Sequence, residues 1–176
     1  MNKLIAVALL AVSTPSFASQ EDGASAFAGG YQYVGGAAET DALAAAVETV
    51  VQKMNFLFRG IARSRLKKSN QPSAALRLIL GADTITVVRP GQPTVSAPAN
   101  GRPVTCRLDG DDFEVTHGFD GNRLYQTFKG PKSFSRNDLV LSPDGLTLTV
   151  FTRIESRHLP IPLVFHMTYR RVAPAR

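Results

Sequence analysis

Apolar residues recur at three- and four-residue intervals through Leu43, Val47, Val50, Val51, Met54, Leu57, Phe58 and Ile61. At about 100° per residue they fall in one sector of roughly 120°, the pattern of an amphipathic helix lying against a core. Thr40 or Asp41 can cap its start, where Glu39 and Asp41 also suit the positive end of the helix dipole. Gly60 interrupts the run, and a mid-helix glycine costs about 1 kcal/mol relative to alanine. The pattern therefore predicts two helices, 40–59 and 61–68, hinged at Gly60.

From Pro72 onward the period changes to two. Leu76–Leu80 and Thr84–Val88 are aliphatic or β-branched runs separated by Gly81-Ala82-Asp83. Alternation resumes over 103–108, 112–118, 122–129, 134–141, 145–155 and 161–171, with turn residues such as Asp120-Gly121-Asn122 and Pro143-Asp144-Gly145 between runs. The intervening RPGQPTVSAPANGRP, 89–103, reads either as a long loop or as a poor edge strand. This is an up-and-down antiparallel meander, and open edges invite aggregation. Closure into a barrel, solid or holding one small ligand, resolves that. The stretch AFAGGYQYVGG, 26–36, places Phe27, Tyr31 and Tyr33 on one phase and reads as the strand that closes it, with glycines at its bends. The fold expected is a mainly-β, antiparallel up-and-down barrel of about 8–10 strands, with the helix pair 40–68 packed as a lid.

Composition adds a location. Lys3, the apolar run Leu4–Val12 and Ser16-Phe17-Ala18 form an export signal over 1–18, leaving 19–176 as a single domain in a periplasmic or extracellular setting. The leader's apolar run is shorter than the roughly 20 residues that a spanning helix needs. Cys106 is the only cysteine, so no internal disulfide forms, and its alternation with Val104 and Leu108 places it as a small inward strand residue. The net charge of +6 is modest and scattered. It favours anionic surfaces or ligands and argues against nucleic acid as partner.

The order strand, helix pair, antiparallel meander resembles the fatty-acid-binding branch of the calycin barrels, relatives of the lipocalins. The residues that carry the likeness are Phe27-Ala28-Gly29-Gly30-Tyr31, and then Gly60, Ala62, Arg65, Pro72, Gly81, Asp83, Ile85, Thr86 and Val87 within 60–89. The resemblance implies a hydrophobic ligand inside the barrel and a helical lid over its mouth. Members hold a carboxylate with Arg-x-Tyr on the last strand, whereas this chain has Met167-Thr168-Tyr169. The tyrosine can hydrogen-bond a head group but cannot pair with its charge, which favours a neutral lipid-like ligand. Arg153 and Arg171 stand nearby as alternative cations.

Candidate ligand-binding residues are Met54, Phe58 and Ile61 on the lid and Phe128, Phe165, Met167 and Tyr169 on the barrel wall. Phe56, Arg59, Arg63 and Lys67 form a candidate face for an anionic membrane, since an aromatic among cations is out of place on a solvated surface. His117, His158 and His166 lack metal-pair spacing, and no nucleophile elbow or phosphate loop occurs, so neither a metal, a cofactor nor catalysis is expected. Two readings remain: a monomeric barrel carrying a small hydrophobic ligand, and a solid barrel acting as an envelope structural or interaction protein.

Overall fold

The computed structural model describes residues 24–108 and 110–172. The expected leader at 1–18 lies outside the described residues. Along the described chain run β1 (Gly29–Tyr33), α1 (Gly36–Gln52), α2 (Phe56–Ser69), β2 (Ala75–Leu80), β3 (Thr84–Val88), β4 (Val95–Pro98), β5 (Val104–Leu108), β6 (Asp111–Asp120), β7 (Arg123–Lys129), β8 (Ser133–Leu141), β9 (Thr147–Ser156) and β10 (Leu163–Val172). The strands form one antiparallel sheet in the order β4-β3-β2-β1-β10-β9-β8-β7-β6-β5. β1 joins the two halves of the meander, pairing β2 through Tyr31↔Leu76 and β10 through Tyr31↔Arg171. Phe27 and Tyr31 are buried, as their shared phase predicts. The glycine-rich stretch is therefore a strand, with the paired part confined to its middle.

The two ends of the sheet are consecutive in sequence, and the proline-rich segment between them closes the barrel. β4 pairs with β3, and Ala99 N still donates to Asp83 O at 2.9 Å. One residue later the chain changes partner: Asn100 bridges Gly118, Gly101 N donates to His117 O at 2.9 Å, and β5 continues along β6. Segment 89–103 thus holds a four-residue strand and a crossing between walls. The crossing requires glycine twice. Gly101 has φ +79°, and a Cβ on Gly118 would lie 2.6 Å from the Tyr125 hydroxyl oxygen, whose ring covers that position.

The helices divide their roles. Leu43, Val47, Val50 and Val51 of α1 are buried and fill one end of the barrel. The Glu39 carboxylate pins that helix to β10, accepting from Thr168 N at 2.9 Å and from its hydroxyl. α2 buries no residue completely. The break between them lies at Asn55, not Gly60. Asn55 adopts an extended conformation, ψ 135°, and its side chain accepts from Leu57 N at 3.1 Å, a hydrogen-bonded N-cap. Gly60 sits inside α2 with open space around it. The helix start also moves, from residue 40 to Gly36, and Thr40 bonds back to Ala37 O rather than capping.

This division makes a stability prediction. Leu43→Ala should cost about 2–5 kcal/mol in urea unfolding, with α1 and the barrel lost in a single transition. Phe56→Ala on α2 should stay within about 0.5 kcal/mol of the parent. A separate early transition for Leu43→Ala would show that α1 is a detachable lid instead.

Candidate functional site

On the inner wall, one polar residue replaces an apolar one at the same level of four successive strands. Thr152 on β9 faces Asn137 on β8, Asn137 faces Gln126 on β7, and Gln126 faces His117 on β6. Their side chains form a directed hydrogen-bond chain. The Thr152 hydroxyl donates to Asn137 Oδ1 at 2.8 Å, Asn137 Nδ2 donates to Gln126 Oε1 at 3.2 Å, and Gln126 Nε2 donates to His117 Nε2 at 2.8 Å. His117 Nδ1–H then donates to Ile85 O at 2.8 Å, reaching across the closing seam to β3. A carbonyl only accepts, so Nδ1 must carry the proton, and in the neutral ring Nε2 is the acceptor. That fixes the orientation of both amides. Burial pushes the His117 pKa below its usual 6.5 against the pull of the Ile85 carbonyl, and the Arg89 charge lowers it further.

Arg89, immediately after β3, joins this chain from the opposite wall. Its two terminal nitrogens donate to Gln126 Oε1 at 3.4 and 3.3 Å. Among the described residues no carboxylate pairs with it, and burial lowers its pKa, with Tyr169 as the opposing influence. Arg89, Tyr169, Asn137 and Thr152 line a cavity of about 170 Å³ between the end of α2 and the barrel interior. Gln126 Oε1 already serves three N–H groups, so donors outnumber acceptors at the Arg89 end of the cavity. Burial raises the Tyr169 pKa, and its phenol remains a neutral donor.

A second cavity, about 410 Å³, lies beneath α2. Met54, Phe58, Ile61, Leu66, Ile154 and Leu159 supply its apolar walls. Ile154 also lines the inner cavity, so the two adjoin at that residue. The expected ligand residues are therefore divided: Phe165, Met167 and Tyr169 face the inner cavity, and Met54, Phe58 and Ile61 face the outer crevice. Phe128 lies half-buried on β7 opposite Val115 and Ser135 and lines neither. The alternative cations are engaged elsewhere. Arg153 pairs with Glu155 at 2.7 Å, while Arg171 binds the backbone oxygens of Gly145, Ala28 and Ala26 and the Tyr31 hydroxyl. Arg89 was missed because it falls in the proline-rich stretch where strand alternation fades.

On α2, Phe56, Leu57, Phe58 and Ile61 are 73%, 67%, 59% and 60% exposed. Leu57 belongs to the apolar stripe yet faces out, because the Asn55 break turns α2 away from the line of α1. Lys67 is exposed, as are Lys53, Arg65 and Lys68. Arg59 instead folds onto the end of α1, donating to Met54 O at 3.0 Å and Gln52 O at 2.7 Å. Arg63 pairs with Glu48 at 2.7 Å, and hydrogen bonds from Arg63 and Gln52 hold that carboxyl down at about 2. α1 thus brings an acid to the basic face of α2. Cys106 is half-buried in the inward phase of β5.

No family model matches the chain. No curated protein matches it either. Solved structures do. The REP1-NXSQ fatty acid transporter aligns over 84% of this chain and 97% of its own, with 16% identity and a TM-score of 0.53. A secretory abundant heat soluble protein from Ramazzottius varieornatus aligns over 84% and 96%, with 9% identity and a TM-score of 0.54. These likenesses establish the fold, a calycin-type barrel.

The buried histidine gives a pH dependence. Its folded pKa is depressed, so between that value and 6.5 the unfolded chain binds more protons at this site. The stability held by neutral His117 is complete above 6.5 and declines as pH falls through that window. Urea midpoints should drop between about pH 7.5 and about pH 5.5 in the parent, and His117→Gln should flatten the drop. An equal drop in both proteins would assign it to other groups.

Proposed function

We propose that this barrel binds one amphipathic, singly anionic lipid-like molecule, with its head at Arg89 and Tyr169 and its tail in the crevice under α2. The observation that carries this reading is the half-buried guanidinium that lines the inner cavity with surplus donors and no carboxylate partner among the described residues. A neutral cavity would not need Arg89, and a carboxylate or similar anion supplies the acceptors it lacks. The adjoining apolar crevice gives the tail a place, since each methylene buried there contributes about 0.8 kcal/mol gross. Association and ordering costs reduce that sum. The resemblance points to a lipid-like ligand, and Arg89 at the end of β3 supplies the cation that the last strand lacks, so an anionic head takes the place of the neutral one expected from Met167-Thr168-Tyr169.

The exposed apolar residues of α2 lie beside the crevice and are accompanied by Lys53, Arg65, Lys67 and Lys68. In this reading they rest on an anionic bilayer from which the ligand enters, in the exported setting that the leader implies. Of the residues expected on that face Phe56 and Lys67 remain and Leu57 joins them, while Arg59 and Arg63 leave it because both are held by α1.

Displacement of an apolar fluorophore tests the head site. Tetradecanoate should displace it, and Arg89→Gln should weaken tetradecanoate roughly 10- to 150-fold while changing tetradecanol less than about 3-fold. Equal weakening of both ligands would remove Arg89 from the site. No displacement by either would leave the solid-barrel, structural or interaction reading in its place.

Vesicle sedimentation tests the surface. Binding to vesicles containing phosphatidylglycerol should fall by about tenfold or more in the double variant Phe56→Ser, Leu57→Ser. Unchanged sedimentation would exclude α2 as the membrane face.

A further inference from the structure

The hydrogen-bond chain on the inner wall has a direction, and its free end faces the ligand. Ile85 O can only accept and the Arg89 guanidinium can only donate, so His117 donates from Nδ1 and accepts at Nε2 from the amine that Gln126 turns toward it. Gln126 must then turn its amine to His117 and its oxygen to Arg89 and Asn137. Asn137 in turn offers its oxygen to Thr152, whose single hydroxyl proton is committed to it at 2.8 Å. Thr152 therefore presents lone pairs, and no proton, to the cavity that Arg89 and Tyr169 also line. One end of this small space asks for an acceptor carrying negative charge. The other asks for a donor.

From this polarity we infer that the preferred ligand is a hydroxylated acyl chain: an anionic head on Arg89 and, within the first few carbons, a hydroxyl that donates to Thr152 Oγ1. This deepens the proposed function and rests on Arg89 seating the anion. The inner cavity is about 170 Å³, so it holds the head and the first carbons of a chain, and the unsubstituted tail continues past Ile154 into the outer crevice. Ser135 lines the same space and can turn its hydroxyl either way, which accommodates the ligand oxygen's own lone pairs. A plain fatty acid leaves the Thr152 lone pairs facing apolar carbon. A neutral hydrogen bond there is worth a few-fold to about tenfold in affinity.

The test compares tetradecanoic acid with its 2-, 3- and 4-hydroxy forms and with the matching methoxy ethers, by fluorophore displacement from the full protein. One hydroxy acid should bind roughly 3- to 10-fold tighter than the plain acid, and its ether, which accepts but cannot donate, should bind no tighter. Thr152→Val should abolish the gain and Thr152→Ser should keep it. A hydroxyl that gives no advantage at any of the three positions overturns the inference, as does an ether that shares the advantage. Both comparisons use the parent protein, so they stand even where Thr152→Val fails to fold. The underlying reading fails separately, when plain tetradecanoate binding does not depend on Arg89.

Discussion

A barrel that buries polar side chains on its inner wall must satisfy every one of them from within. The chain running from Thr152 through Asn137, Gln126 and His117 to the Ile85 carbonyl meets that requirement across five strands, and no buried side-chain polar atom is left without a partner among the described residues. It also does what the backbone ladder cannot. Where β4 leaves β3, the His117 side chain spans the seam and ties β6 to β3. Burial keeps His117 neutral, and with one carbonyl that can only accept and one guanidinium that can only donate, the ring's tautomer and the direction of both amides are set. The apolar layers around this belt, among them Leu124, Leu139, Leu148 and Val150, supply the bulk of the burial.

The helices follow from the same division between filled and unfilled wall. α1 inserts its valines where the barrel end is apolar, and so it belongs to the core. α2 covers the part of the mouth where Arg89, Ser73 and Tyr169 keep the interior polar, and its apolar stripe is only partly buried, through Ala62 and Leu66. Its aromatic start remains exposed, with a crevice beneath it. Polar lining and loose helix are two sides of one arrangement, which leaves an entrance beside an unfilled part of the interior.

Much of the architecture was legible because it rests on period. The meander, the β1 strand and the inward placement of Phe27, Tyr31, Met167 and Tyr169 follow from alternation alone. The helix break was misplaced because glycine was weighed by propensity, whereas Asn55 stops the helix by a side-chain hydrogen bond that propensity does not register. The site was only half legible. Apolar positions announce themselves, so the inner-wall placement of Phe165, Met167 and Tyr169 was legible. The polar belt did carry a signal: Gln126 interrupts the inward phase between Leu124 and Phe128, His117 does so between Val115 and Phe119, and Thr152 between Val150 and Ile154. Reading it requires the register between strands, which a single sequence does not supply. Arg89 reaches the site by the fold of a segment without period.

The central claim is that an anionic head sits on Arg89 inside the barrel and its tail leaves beneath α2. A crystal structure with a fatty acid brominated at its terminal carbon measures both ends at once. The carboxylate is expected within hydrogen-bonding distance of Arg89 and the Tyr169 hydroxyl, and the bromine's anomalous peak among Met54, Phe58 and Leu159. A carboxylate at the protein surface with the bromine inside the barrel would contradict it, and so would a bromine peak away from both cavities.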